Sequence, residues 1–176
     1  MDENIVIRPV KPEDAEQYIK LTNFVWRDAY KHIFPEEVFA TKESRAQDMI
    51  KTFADVVYHG KDKLCYVAEV ESKIIGFVFA RLGTNYEHFV NIIDAELMAM
   101  YILPEYQGKG LGTKFKNLFI DWAKDKGVKN FVLGVLKDNH KARKVYESWN
   151  GELDKYMEPF VSLGVEYDEV FYTFNL

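Results

Sequence analysis

Five residues, Gly108-Lys109-Gly110-Leu111-Gly112, constrain the fold of this 176-residue chain more than any other segment. Three glycines at alternate positions follow an apolar run that closes at Pro104. They precede a run with Leu111, Phe115, Leu118, Phe119 and Trp122 at helical spacing. A strand must turn sharply into a helix there, and the backbone can approach a ligand without Cβ obstruction. The helix start adds unpaired N–H groups and the positive end of a dipole, a cradle suited to a pyrophosphate. The segment is not a Walker loop. It also places Thr113 where the dinucleotide fingerprint G-x-G-x-x-G needs its last glycine.

Patterning along the rest of the chain predicts the element order β-α-α-β-β-β-α-β-α-β-β. Strands are expected over 5–10, 64–70, 73–82, 92–103, 131–135, 152–158 and 165–174. Helices are expected from Pro12, over 41–58 and stopped by Gly60, from the glycine loop to Gly127, and over 139–149. Hairpins flank one central β-α-β unit, whose right-handed crossover makes its strands parallel. Ligands of such sheets bind beyond the carboxyl ends of parallel strands, which points again to 100–112. Nothing repeats and no linker interrupts the chain, so one domain over 1–176 is expected.

Composition removes several classes. With 48% apolar and 29% charged residues the chain is of globular type. A net charge of −5 argues against a nucleic-acid backbone as partner. Two basic segments nonetheless stand out, one with Lys109, Lys114 and Lys116, the other with Lys137, Lys141, Arg143 and Lys144. The lone cysteine, Cys65, lies in an apolar strand and reads as a buried thiol. Met1-Asp2-Glu3-Asn4 is not the start of a signal peptide, and no apolar run is long enough to span a bilayer. The expectation is a cytoplasmic protein without a membrane partner.

Gln107, Gly110 and Gly112, after a strand ending in Tyr101-Ile102-Leu103-Pro104, together with Asn139, Ala142 and Tyr146 downstream, resemble the paired motifs of the GNAT superfamily of N-acetyltransferases. The first has the form [Gln/Arg]-x-x-Gly-x-[Gly/Ala], the second Asn-x-x-Ala-x-x-x-Tyr. The resemblance implies an α/β (α+β) fold. Its centre would be a mixed, mostly antiparallel sheet of six to seven strands with a splayed parallel pair, flanked by about four helices. It implies acetyl-CoA as co-substrate and no metal. The backbone of Gln107, Gly108, Lys109, Gly110, Leu111, Gly112 and Thr113 would hold the pyrophosphate. Met100, Tyr101 and Ile102 would pair with the pantetheine arm as a strand does, and the Met100 N–H would polarise the acetyl carbonyl. Asn139 would bond the same arm, and Lys109, Lys141 or Lys144 would meet the phosphates.

Attack by an amine on a thioester needs a base, since a free alkylammonium has a pKa of roughly 10. Glu96 is the candidate base: it matches a position where several family members carry a catalytic carboxylate, and its apolar neighbours suit a raised pKa, while other members deprotonate through a water chain. Tyr146 matches the hydroxyl that protonates the leaving thiolate. Trp26, Tyr30, His32 and Phe34 are candidates to line an acceptor pocket. Asp154, Glu158, Glu166, Asp168 and Glu169 give the C-terminal region an acidic character that suits a small cationic amine. A protein or peptide acceptor, a non-enzymatic acyl-CoA sensor and a homodimer paired through edge strands stay open.

Overall fold

The structure is a computed structural model and describes residues 4–53, 55 and 61–176. Seven strands form one sheet in the order β1-β2-β3-β4-β5-β7-β6. The strands are β1 (Val6–Pro9), β2 (Lys63–Val70), β3 (Lys73–Leu82), β4 (Ala95–Ile102), β5 (Asn130–Leu136), β6 (Glu152–Ser162) and β7 (Val165–Asn175). The helices among the described residues are α1 (Ala15–Tyr30), α2 (Glu36–Ser44), α3 (Ala46–Phe53), α4 (Leu111–Asp125) and α5 (His140–Ser148). The mixed sheet matches the expected α/β (α+β) class, with five helices in place of about four. None of the helices is long and apolar enough to cross a membrane.

The chain divides into two compact units. The first holds β1, α1 to α3, β2, most of β3, the end of β4 and most of α4. Arg8 on β1 ties this unit's start together, forking onto Asp14 at 2.7 and 2.8 Å and reaching Glu69 of β2 at 2.7 Å. Cys65 is buried in the same unit, and burial pushes its thiol up to about 12, as an inert core cysteine requires. The second unit holds the β3–β4 connection, the start of β4, β5, α5, β6 and β7.

Three boundaries differ from expectation, each for a local reason. The expected helix over 41–58 is two helices as far as the described residues go, and Tyr58 and Gly60 lie outside them. The first begins at Glu36, after Pro35, with Glu36 and Glu37 at the favourable end of the helix dipole. It stops where the Ser44 hydroxyl donates back to the Thr41 carbonyl at 2.8 Å. Strand β4 begins at Ala95, after a turn in which Ile92 and Asp94 bond the Asn130 side chain. The Asp94 N–H donates to Asn130 Oδ1, and Asn130 Nδ2 donates to the Ile92 carbonyl. Strand β6 runs past Glu158 through Pro159, which an edge strand tolerates.

Candidate active site

In the first unit, the loop before α4 takes the form the glycines allow. Gly108 and Gly110 have φ of +72° and +83°, the left-handed region where a Cβ is penalised, and open space surrounds both. Gln107 fastens the loop to the end of β4 by donating from Nε2 to the Ile102 carbonyl at 2.8 Å. The first bond of the α4 ladder runs from the Lys114 N–H to the Gly110 carbonyl. The amides of Leu111, Gly112 and Thr113 therefore precede the ladder, as the first amides of a helix do. Leu111 is buried and anchors the helix, while Gly108, Lys109, Gly110 and Thr113 are exposed. Lys109 lies over the Tyr106 ring.

Strand β4 changes character along its length. Ala95, Glu96 and Leu97 are buried, Met98 is exposed, and Ala99 to Ile102, Met100 and Tyr101 included, are half-buried. Its parallel pairing with β5 joins Ala95 to Phe131 and Glu96 to Val132, the first two residues of an eight-residue strand. On the β3 side the strand is tight. A Cβ at Gly76 would stand 2.9 Å from the Tyr101 carbonyl oxygen.

In the second unit, Glu96 does not have the apolar surroundings expected of it. It is 5% exposed, and its Oε2 accepts from Arg81 Nη2 at 2.6 Å, Arg81 Nε at 3.1 Å and the Thr84 hydroxyl at 2.9 Å. These partners hold its carboxyl group through one of its two oxygens.

Asn139 precedes α5 and Tyr146 lies within it. Asn139 is its N-cap, and Oδ1 accepts from the Ala142 N–H at 3.2 Å, so two residues of the motif also start the helix. Tyr146 is half-buried, with its ring 5.6 Å from Trp149 and 5.9 Å from Tyr172. The helix ends with Asn150 at φ +63°, and the Gly151 N–H donates to the Tyr146 carbonyl. Of the basic segment, Arg143 turns inward to Tyr172 and the Lys137 carbonyl, while Lys141 and Lys144 are exposed.

The acidic residues separate by partner. Asp168 pairs with Lys137 at 2.8 Å, Asp154 lies 3.8 Å from His88, and Glu166 is exposed. Glu158 and Glu169 stand directly opposite each other on β6 and β7. Burial pushes the Glu169 carboxyl up to about 7; Glu158 and Glu96 push the same way, and the Tyr86 hydroxyl opposes them. Sequence reasoning missed Arg81, Thr84, Tyr86 and Gly134. Only Gly134 carried a signal, as a lone glycine within an apolar strand.

In the first unit again, Trp26, Tyr30 and Phe34 form a ring cluster with Phe39. Trp26 stacks on Phe34 at 4.8 Å, while His32 is exposed. Among the described residues no group of three or more His, Cys, Asp or Glu is placed to hold a metal ion.

Residues 22–151 match the model of the acetyltransferase (GNAT) family. The chain is 27% identical over 143 residues to an uncharacterized N-acetyltransferase of Archaeoglobus fulgidus, covering 81% of this chain and 89% of that one. It is 27% identical over 146 residues to a spermidine N(1)-acetyltransferase of Thermoplasma acidophilum, covering 77% and 81%. The fold resembles that of the PaiA N-acetyltransferase of Thermoplasma acidophilum, solved in complex with coenzyme A. That match has a TM-score of 0.67 and 23% identity, and covers 98% of this chain and 99% of that one. A glycine loop of this geometry, an asparagine-capped helix carrying Tyr146 and a matching family model over most of the chain lead to one conclusion: the chain belongs to the acetyltransferase (GNAT) family and is an acyltransferase.

Proposed function

We propose that this enzyme transfers an acetyl group from acetyl-CoA to a small cationic amine by direct attack of the amine on the thioester. The observation that carries the coenzyme assignment is the loop at Gly108 and Gly110, held left-handed and open at the start of α4. Its amides bind the pyrophosphate, and Lys109, Lys141 and Lys144 offer charge to the phosphates. The half-buried stretch Met100, Tyr101 and Ile102 offers backbone groups to the pantetheine arm, and Asn139 donates to it. The Met100 N–H polarises the acetyl carbonyl. Tyr146 protonates the leaving thiolate.

Two features support a cationic acceptor. One relative is a spermidine acetyltransferase, and Glu158 and Glu169 face one another across β6 and β7. Glu96, held in place by Arg81, receives the ammonium. The buried Cys65 thiol supports a reducing, cytosolic setting. Leu153, Met157 and Val161, exposed along the edge strand β6, support a homodimer.

The test is thiol release from acetyl-CoA against a panel of amines, with native protein and Glu96→Gln. A charge-assisted hydrogen bond is worth about 1.5–3 kcal/mol, so kcat/KM should fall roughly 10- to 100-fold. The loss should lie chiefly in KM for the amine. Release that the substitution leaves unchanged would remove Glu96 from the acceptor site. Release only with neutral or anionic acceptors would reject the cationic class.

A further inference from the structure

We propose that Glu169 is the group that takes the proton from the acceptor ammonium, working from a recess that Gly134 leaves open on β5. The inference rests on the acetyl-transfer reading above and adds the proton acceptor that reading lacks.

Sheet register supplies the first observation. Glu96 pairs with Val132, Gly134 with Phe171, Leu136 with Glu169, and Glu169 with Glu158. Paired residues share a face and alternate residues return to it. Glu96, Val132, Gly134, Phe171, Glu169 and Glu158 therefore line one face of the second unit.

Gly134 supplies the second. A Cβ there would stand 2.6 Å from Glu169 Oε1 and 2.9 Å from the Tyr86 hydroxyl oxygen. The carboxyl therefore lies against the backbone of β5, in room that any other residue would fill. The Tyr86 hydroxyl donates toward both carboxylate oxygens at 3.4 and 3.5 Å.

The surroundings suit a carboxyl that changes charge. Phe89, Ile93, Val132 and Phe171 form a buried apolar floor, with Tyr86 and Tyr156 packed on it. Directly opposed carboxylates repel, and Glu158 is already engaged by the Tyr156 hydroxyl at 2.9 Å. The titratable and charged groups facing Glu169 are thus Tyr86, Glu158, Tyr156 and Glu96, the last paired with Arg81. Glu169 itself is half-buried, so it can meet a substrate and exchange protons with water. A carboxyl at about 7 is matched to a proton acceptor working near neutral pH.

The step balances. The Glu169 carboxylate takes one proton from R–NH3+, and the amine lone pair forms a bond to the thioester carbon. The C–S bond breaks as the carbonyl re-forms. The second nitrogen proton compensates the one that Tyr146 gives to the thiolate. The proton on Glu169 returns to water, as the net release of one proton requires.

The test joins carboxyl-carbon NMR titration to pH–rate profiles, using the panel amine that gives the fastest thiol release. Native protein should show a carboxyl titrating near about 7 that is absent in Glu169→Gln. In that variant kcat should fall about 100-fold, within the range for loss of an acid–base group, and the acidic limb of the profile should disappear. Gly134→Ala should displace the carboxyl while the strand accepts the methyl, and should reproduce the kinetic loss with the thermal midpoint retained. Linkage gives a further sign. Because the folded carboxyl is raised from 4.5 to about 7, its contribution to stability is present in full below about 4.5 and lost as pH rises through about 7. Glu169→Gln should therefore remove that decline. A Glu169 carboxyl titrating in the ordinary range, or an acidic limb unchanged in both variants, would overturn the inference alone. No release from any amine by native protein would overturn the transfer reading and the inference with it.

Discussion

Replacing Gly108 and Gly110 together by alanine should weaken acetyl-CoA binding about 100-fold while leaving the protein folded. Both residues hold φ in the left-handed region, at +72° and +83°. An L side chain there costs roughly 1–2 kcal/mol per residue. No atom lies within contact range of a Cβ at either position, so the penalty is conformational and not a clash. The exposed loop relieves it by leaving the left-handed region, which turns its amides from the cradle. Two such penalties, about 3 kcal/mol together, correspond to roughly a hundredfold in dissociation constant. Gly164 is the control, since it is left-handed at φ +76° in the β6–β7 turn and equally open. Gly164→Ala should lose comparable stability in denaturant with coenzyme affinity intact. Titration calorimetry with acetyl-CoA separates the two. Native affinity in the double variant would show that the loop's conformation is not what binds the coenzyme.

What could be read from the sequence divides by how local its cause is. The glycine loop is set by residues within a few positions of one another and stood in the linear pattern; the Asn139 cap and the left-handed Asn150 have causes as local. The turn at Glu71 and Ser72 is as local, with both residues at positive φ between β2 and β3. The order of elements along the chain followed from hydrophobic alternation, and the parallel pair from the handedness of one crossover, but the place of β7 between β5 and β6 did not. The electrostatics of the site did not follow, because they depend on register. Arg81 reaches Glu96 from 15 positions away, and Tyr86 reaches Glu169 from 83 away. Glu96 looked like an isolated carboxylate among apolar neighbours only because its partner sits on another strand. Glu169 looked like one of five acidic residues, although only the β5–β7 pairing puts its carboxyl over a glycine. The aromatic cluster around Trp26 was visible as composition, but packing alone shows that Phe34 is buried and His32 is not.

That dependence on a distant partner makes Arg81 the more sensitive member of its pair. Arg81→Leu should destabilise the protein by about 3–5 kcal/mol at neutral pH, the usual cost of stranding one charge of a buried pair. Glu96→Gln should cost less. The asymmetry comes from exposure: the Glu96 side chain is 7% exposed and the Arg81 side chain 19%. An unpaired guanidinium can move toward water, while an unpaired Glu96 carboxylate cannot. Only the Thr84 hydroxyl would remain to it in Arg81→Leu. Combining Arg81→Leu with Glu96→Gln should recover part of the loss, since the second change removes what the first leaves unpaired. Urea unfolding of the three variants measures each quantity. Equal losses in the two single variants, or no recovery in the double variant, would mean that solvent reaches Glu96 freely. The Glu96 contact assigned to the ammonium would then be screened, and the acceptor's charge would have to be met by Glu158 and Glu169 instead.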